Sequence, residues 1–264
     1  MLLGHAPALD SAQATAGVRL AGFECGRIVQ PDLGRFNDTM RFVGERREFA
    51  AGCFVVRHPK GVLLWDTGIS RAMAERSQGR MTFVAPIADR LKALGLAPAD
   101  VTHVAISHAH ADHTGDTASF GGAELLIGAG DWETVQRLGA DDPQRAAFSP
   151  WLTNGARVTP VSGDRDIFGD GSVMMLRMPG HTAGHSALLV RLPNAGAVLV
   201  SGDQYHFREN RAVRGVPTFN ADRADTLASH DRFETIAANL KARVVIQHDP
   251  RDLAALPRFP QMLD

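Results

Sequence analysis

The chain has 264 residues, 44% of them hydrophobic and 22% charged, so it can bury a core and lacks the composition of a disordered or low-complexity protein. It carries 28 Lys and Arg against 29 Asp and Glu, a net charge of −1. This balance offers no long-range attraction to nucleic acid or to an anionic membrane. No apolar stretch approaches the length of about 18 residues that a membrane span needs. We therefore expect a globular protein that binds neither nucleic acid nor membrane.

The N-terminal residues point to no compartment. Residues 1–17 lack the basic region and the apolar core of a signal peptide, although their Ala-rich end is compatible with the remnant of a trimmed one. We expect them to form a flexible N-terminal segment of one domain that spans residues 1–264. The loop expected at 139–154 is the one candidate linker, but Phe148 and Trp151 make it too apolar to separate two domains.

Two cysteines, Cys25 and Cys53, can form at most one disulfide and cannot form a zinc site of cysteines alone. Buried, small hydrophobic side chains are the simpler expectation, and whether the two cysteines are bonded stays open.

The first half of the chain predicts strands followed by alternating helices and strands. Turn residues His58-Pro59-Lys60-Gly61 between two β-rich runs indicate a hairpin. Pro86 and Gly95 bracket apolar residues at helical spacing, which predicts a helix. The predicted elements are strands at 18–29, 53–57, 62–65, 101–107 and 124–127, and helices at 86–95 and 132–138.

The second half again combines strands with a helix. The predicted strands are 166–168 and 173–178 around the turn Gly169-Asp170-Gly171, then 187–192, 197–200 and 244–247, with a helix that includes Phe233 and Leu240. In each half an apolar strand ends in an aspartate, Asp66 and Asp203. Because functional groups of α/β proteins gather at strand ends, the pattern predicts a sandwich of two similar halves that share one site.

The strand 101–107 runs into His108-Ala109-His110-Ala111-Asp112-His113. Side chains two apart in an extended segment project to the same side, so His108 and His110 can hold one ion. A turn at Asp112 would let Asp112 and His113 face a second ion. One short loop can therefore supply halves of two metal sites.

Further ligand candidates follow other predicted strands: His181 after 173–178, Asp203 after 197–200 and His248 at the end of 244–247. With the loop residues they make seven nitrogen and oxygen ligands without a thiolate. Such a set suits zinc, manganese, iron or cobalt, and two ions better than one.

These motifs resemble the signature of the metallo-β-lactamase superfamily, and Trp65-Asp66-Thr67-Gly68 resembles that superfamily's first motif. The resemblance implies an α/β fold, a single αββα sandwich, and two divalent ions, with zinc as the expected metal. It implies that one ion is held by His108, His110 and His181, and the other by Asp112, His113 and His248. Asp203 would then bridge the two ions together with a hydroxide.

Within the superfamily, the chain is similar to the N-acyl-homoserine lactonases. A histidine at position 110 disfavours the redox di-iron branch, and Asp203 disfavours the true β-lactamases, which generally lack the bridging aspartate. The segments 59–68, 201–207 and 246–249 carry the similarity to lactonases, in particular to a branch usually exported to the periplasm. The implied substrate is an acyl-homoserine lactone, and the implied outcome is the silencing of a bacterial signal.

The same resemblance assigns roles to two residues beyond metal binding. Tyr205 would hydrogen-bond the substrate carbonyl as an oxyanion donor, and Asp112 would carry the proton to the leaving ring oxygen. His185 and His206 are expected to orient the ligands. Five apolar residues could line an acyl pocket, but core packing is the preferred expectation for each: Phe36, Met40, Phe83, Met174 and Met175.

Other functions remain compatible with the ligand pattern. The same centre could cleave another lactone, a β-lactam or a phosphodiester, and a closed metal site without turnover would make the chain a sensor or scaffold. The oligomeric state stays open, with a homodimer as one option.

Overall fold

The computed structural model describes Thr15 and residues 17–264. Its strands are β1 (Arg19–Gln30), β2 (Arg47–His58), β3 (Gly61–Trp65), β4 (Met81–Phe83), β5 (His103–Ile106), β6 (Glu124–Gly128), β7 (Val158–Val161), β8 (Arg165–Asp166), β9 (Val173–Arg177), β10 (Ser186–Leu192), β11 (Gly196–Val200) and β12 (Arg243–Val245). Its α-helices are α1 (Arg71–Arg76), α2 (Ile87–Ala93), α3 (Ala129–Arg137), α4 (Pro143–Ala146), α5 (Ser149–Thr153), α6 (Arg208–Ala212), α7 (Arg223–Asn239) and α8 (Pro250–Ala254). Short 3₁₀ turns lie at Leu33–Phe36, Pro98–Asp100, Thr117–Phe120 and Gly202–Gln204.

The strands form two sheets, in the orders β4-β1-β2-β3-β5-β6-β7 and β12-β11-β10-β9-β8. Neighbours among β3, β5, β6 and β7 run parallel, as do β11 and β12, whereas the other pairs are antiparallel. The β2–β3 pair confirms the predicted hairpin, with His58 opposite Gly61. Because β3 and β5 are adjacent and parallel, the loops that follow them leave from the same edge of the sheet.

The alternation of side chains along the strands produces the layers. Leu63 and Trp65 belong to the core between the two sheets, whereas Leu64 clusters with α2, α3 and α5 on the outer face. In the second sheet, Leu188 faces the inter-sheet core and Leu189 clusters with residues of α7. The order helix, sheet, sheet, helix confirms the predicted αββα sandwich.

The segment 139–154 differs from the irregular loop expected there, because it forms α4 and α5. The Asp142 carboxylate accepts a hydrogen bond from the Gln144 backbone at 2.8 Å, and Pro143 occupies the first turn of α4. An aspartate followed by proline is a helix-start signal. The expectation of a loop was therefore wrong because it overlooked this signal in the sequence. Phe148 and Trp151 are buried, in keeping with their apolar character.

The two cysteines form a disulfide, with the Cα atoms 5.9 Å apart, which answers the question that the sequence left open. Both side chains are buried, as expected. Cys25 lies where the register between β1 and β2 shifts, next to Cys53 on the neighbouring strand. The expected flexible segment 1–17 lies, apart from Thr15 and Gly17, outside the described residues. In the part of the chain that the structure describes, no helix is long and apolar enough to cross a membrane.

Candidate metal centre

The seven predicted ligands meet at one edge of the sandwich. They fall into two groups, and within each group the ligand atoms all lie within 4.8 Å of one another. The first group is His108, His110, His181 and Asp203, and the second is Asp112, His113 and His248. The groups form because β5, β9, β11 and β12 all end near this edge and each is followed by a ligand.

In the first group, three imidazoles converge. The Nδ1 atom of His110 lies 2.9 Å from Nε2 of His108 and 3.0 Å from Nε2 of His181. Oδ2 of Asp203 lies 3.3 Å from the same His181 nitrogen. Three nitrogens and one carboxylate oxygen form the donor set of a four-coordinate divalent ion.

In the second group, the Nε2 atoms of His113 and His248 lie 3.2 Å apart. Oδ2 of Asp112 lies 3.6 Å from the His248 nitrogen. Oδ1 of Asp203 lies 3.1 Å from Nε2 of His113 and 3.0 Å from Nε2 of His248. The two oxygens of Asp203 therefore face different groups, as a ligand shared by two ions does.

The residues present fit a pair of divalent ions. Oδ1 of Asp203 is buried and close to two imidazole nitrogens, yet neither is aligned to hydrogen-bond it. A buried carboxylate oxygen without a partner costs free energy, and a cation removes that cost. A set of nitrogen and oxygen donors without a thiolate suits zinc, and also manganese, iron or cobalt.

Hydrogen bonds to the far side of three of the five imidazoles orient their ligand nitrogens. Nδ1 of His113 donates to Asp66 at 2.8 Å, Nδ1 of His181 to Asn220 Oδ1 at 2.9 Å, and Nδ1 of His248 to the Ala50 carbonyl at 2.6 Å. A proton held on Nδ1 leaves the Nε2 lone pair free to bind a metal.

Asp66, from the Trp65-Asp66-Thr67-Gly68 motif, anchors the second group. Its buried carboxylate accepts hydrogen bonds from the Ser107 backbone at 2.7 Å, the Ser107 hydroxyl at 2.7 Å, and the Gln247 side chain at 2.6 Å, in addition to His113. The acceptor thus ties the end of β3 to the loop after β5 and to the residue before His248.

Asp131 performs the corresponding task for the first group, and no motif in the sequence marks it. Its buried carboxylate accepts from the Ala109 backbone at 2.9 Å, the Thr182 hydroxyl at 2.8 Å and the Gly184 backbone at 2.9 Å. Ala109 and Thr182 adjoin ligands of the first group. A Cβ at Gly184 would lie 2.5 Å from the Asp131 backbone nitrogen, so the close approach requires glycine.

The electrostatics of the cluster separate its acid from its bases. Burial alone would raise the pKa of Asp203, but His248 and His113 outweigh it and hold that pKa well below its usual value. Burial, followed by the charge of His113, lowers the pKa of His108 well below its usual value. For these two residues the ionised carboxylate and the neutral imidazole are the states that metal binding requires. Burial would lower the pKa values of His113 and His248, but Asp203 outweighs it and raises both above their usual value, so metal binding there must displace a proton.

Tyr205 does not reach the cluster, which contradicts the role expected for it. Its side chain is fully buried and stacks on His230 at 4.5 Å between ring centroids. Tyr205 has extended backbone angles, so successive side chains there point to opposite sides. The neighbour, His206, faces the centre, with Nε2 3.1 Å from Oδ2 of Asp203. Burial lowers the pKa of His206 to about 4.

His185 supports the shared ligand through the backbone, in keeping with the orienting role expected for it. Its Nδ1 donates to the Met178 carbonyl at 2.8 Å, so Nε2 accepts from the Asp203 backbone N–H at 2.9 Å. The contact fixes the turn at Gly202–Gln204, where Asp203 departs from helical angles.

A cavity of about 390 Å³ opens onto the ligands. It is lined by Ile28, Gln30, Arg35, Phe36, Phe49, Met81, His110, Asp112, Asp203, His206, Phe219 and His248. Phe36 therefore reaches the cavity. Arg35 was missed because it comes from the turn after β1, far in sequence from every ligand.

Comparison with known proteins agrees with this geometry. Residues 46–248 match the model of the metallo-beta-lactamase superfamily. The chain is 29% identical over 248 residues to the N-acyl homoserine lactonase AttM of Azorhizobium caulinodans, covering 84% of this chain and 90% of that protein. It is 25% identical over 233 residues to an N-acyl homoserine lactonase of a Bacillus species, covering 83% and 89%.

A solved N-acyl homoserine lactone hydrolase, with the product N-hexanoyl-L-homoserine at its catalytic metal centre, has the same fold. It superposes with a TM-score of 0.78 at 21% identity, over 93% of this chain and 98% of that one. The chain belongs to the metallo-beta-lactamase superfamily. It is a metal-dependent hydrolase, with the ligand set of that fold at one edge of the sandwich.

Proposed function

We propose that this chain opens the lactone ring of N-acyl-homoserine lactones at a pair of divalent metal ions. The observation that carries the proposal is the position of Asp203, whose two oxygens face separate ligand groups beside a cavity. The lactonases reported above, which match most of the chain, support the choice of substrate.

Zinc is the metal we assign to both groups, because five imidazoles and two carboxylates form a borderline nitrogen and oxygen set. Two such ions, when bound, would polarise the lactone carbonyl and lower the pKa of a water to about 7. The chain itself must then bind the substrate, place its carbonyl and move one proton.

We assign the proton transfer to Asp112. Its side chain lines the cavity and is 21% exposed, more than that of Asp203. Burial opposes its ionisation, but His113 and His248 outweigh burial and lower the pKa of Asp112 below its usual value. An ionised carboxylate in this position can accept the proton of the attacking water and deliver it to the ring oxygen.

We assign the hydrogen bond to the lactone carbonyl to His206 in place of Tyr205. His206 lines the cavity, and its ring lies 5.7 Å from that of His248 and 5.4 Å from that of His181. Charge that develops on a carbonyl oxygen is stabilised by a fixed donor at that point.

The apolar part of the cavity wall is suited to an acyl chain. Phe36 packs edge-on to Phe219 at 5.5 Å and to Phe49 at 5.2 Å, with Ile28 and Met81 beside them. Burying methylene groups against such a surface is worth about 0.8 kcal/mol each.

A substrate panel tests the proposal on zinc-loaded protein of measured metal content. We expect acyl-homoserine lactones to be opened with kcat/KM of about 10⁴–10⁶ M⁻¹s⁻¹, and β-lactams and phosphodiesters at least about 100-fold more slowly. Ring opening releases a proton, so a weakly buffered indicator follows it. Faster turnover of a β-lactam or a phosphodiester would refute the assignment and leave the metal centre standing.

Matched variants test the assigned donor. His206→Phe, which keeps a ring and removes the N–H donor, should lower kcat about 10–100-fold, whereas Tyr205→Phe should leave kcat within about 2-fold of wild type. Metal content measured on both variants separates a lost donor from a lost ion. A normal rate for His206→Phe together with a slow Tyr205→Phe would restore the role first expected for Tyr205.

A further inference from the structure

Two polar side chains on the cavity wall, those of Gln30 and Arg35, have no hydrogen-bond partner among the described residues. Gln30 ends β1, and Arg35 lies in the 3₁₀ turn at Leu33–Phe36. Neither belongs to a ligand group, and Arg35 forms no ion pair with a described carboxylate. Both are therefore available to a molecule in the cavity.

The Arg35 guanidinium is held near the ligands by aromatic rings. Its central carbon lies 4.6 Å from the ring centroid of Phe219 and 5.8 Å from that of Phe36. The Phe219 ring in turn lies 5.7 Å from the ring of His181 and 6.0 Å from that of His206. The guanidinium is thus one aromatic ring away from the metal centre.

The backbone fixes this arrangement. The Arg35 carbonyl accepts hydrogen bonds from the Thr218 backbone at 2.9 Å and from the Thr218 hydroxyl at 3.1 Å. These bonds tie the turn that carries Arg35 to the residue next to Phe219. The cation and the ring beneath it are therefore positioned together.

The two free side chains offer complementary chemistry. A guanidinium only donates hydrogen bonds, whereas a carboxamide both donates and accepts. The amide group that joins an acyl chain to a lactone ring has one acceptor, its oxygen, and one donor, its N–H. A lactone with a simple alkyl substituent has neither.

We propose that Arg35 donates to the acyl-amide oxygen of the substrate and that Gln30 accepts from its N–H, so that this wall selects N-acylated lactones over alkyl lactones. The inference rests on the proposed lactonase function and names the substrate group that the cavity wall selects. A site that hydrogen-bonds a substrate group discriminates against analogues that lack it, because its own polar groups then stay unpaired.

The test compares N-hexanoyl-homoserine lactone with γ-decalactone, a γ-lactone with an alkyl chain of six carbons and no amide. Arg35→Met keeps an unbranched apolar stem over Phe219 and removes the donors. We expect it to lower kcat/KM about 10-fold on the acylated lactone, since hydrogen bonds to charged groups contribute more than neutral ones. On γ-decalactone the change should stay within about 2-fold.

Gln30→Met should lower kcat/KM about 3-fold on the acylated lactone and leave γ-decalactone unchanged, because a neutral hydrogen bond is worth less than a charged one. Arg41→Met is the matched control. Like Arg35, Arg41 is exposed and lies over an aromatic ring, that of Phe42 at 5.8 Å. Unlike Arg35, it does not line the cavity. This control should leave both rates unchanged.

The outcomes separate the two proposals. Equal losses of kcat/KM on both lactones in Arg35→Met, or no loss on either, overturn the proposed amide contact. The proposed function stays intact in that case if the wild-type protein opens both lactones. Wild-type protein that opens neither lactone overturns both. Metal content and thermal stability, measured for each variant, identify losses that come from a damaged fold.

Discussion

Replacing Asp66 by Asn should weaken the second ligand group and spare the first. Asparagine keeps the size of the side chain, and it tolerates the positive φ of 55° that Asp66 adopts. The substitution removes one acceptor oxygen and introduces an NH₂ group among donors. It therefore changes the hydrogen bonds without creating a cavity.

The structure sets the size of the effect. Oδ2 of Asp66 accepts from the Ser107 hydroxyl, from Nδ1 of His113 and from the Gln247 side chain, while Oδ1 accepts from the Ser107 backbone. An amide in its place cannot satisfy all four donors, and an unpaired buried donor costs about 1–3 kcal/mol. Loss of a carboxylate behind a metal-binding histidine typically lowers metal affinity about 10–100-fold.

Competition with a zinc chelator measures the affinities of the two ions separately. In Asp66→Asn we expect the affinity for one ion to fall about 10–100-fold and the affinity for the other ion to stay within about 3-fold of wild type. Asp131→Asn is the control, because its contacts to Ala109 and Thr182 adjoin the first group, and it should weaken the other ion. Unchanged affinities in Asp66→Asn, or equal loss of both ions, would refute the reasoning.

Three further predictions concern occupancy, acid stability and the disulfide. Metal analysis should give about two equivalents of metal per chain for wild type. Asp203→Ala should lose metal from both ligand groups, since that residue is shared. One equivalent of metal, unchanged in the variant, would contradict a paired site. Burial lowers the pKa of His230 from 6.5 to about 4. As the pH falls, His230 is therefore protonated in the unfolded chain before it is protonated in the folded one, and the free energy of unfolding decreases by at most about 3 kcal/mol between pH 6.5 and about 4. His230→Gln, which retains a donor for the Gln204 carbonyl, should show a shallower loss over this window in chemical denaturation. Replacing Cys25 and Cys53 together by Ala should lower the free energy of unfolding by about 3 kcal/mol, because the bond closes a loop with a separation of 28 residues; a thermal midpoint equal to wild type would count against this.

The metal ligands were predictable because each follows a strand that hydrophobic patterns reveal. The loop after β5 has two histidines at extended spacing, and strand ends of a sandwich meet at an edge. The assignment of Tyr205 failed because the turn at Gly202–Gln204 is irregular, so neither helical nor strand periodicity extends across it. Which of Tyr205 and His206 faces inward depends on that turn.

Arg35 and Asp131 were beyond prediction for a different reason. Both lie apart in sequence from the metal ligands, and each reaches the site through contacts that only the folded chain creates. Asp131 stands in the first turn of α3 and bonds two loops. An acidic residue there is also a common helix-start preference, so its sequence position carries no distinct signal.

The two buried carboxylates each support mainly one half of the centre. Asp66 fixes His113 and the residue before His248, whereas Asp131 fixes the loops that carry the first group. Asp203 links the halves, since its oxygens face both. An ion bound in one half would act on the other half through this carboxylate and through the neighbouring imidazoles, since the rings of His108 and His113 lie 4.2 Å apart. Ser107 adds a further link, because its hydroxyl donates to Asp66 and lies 3.0 Å from Nδ1 of His108. The geometry therefore favours stepwise metal loading, in which the second ion is bound by a preformed set of nitrogens and by an Asp203 that the first ion has already oriented.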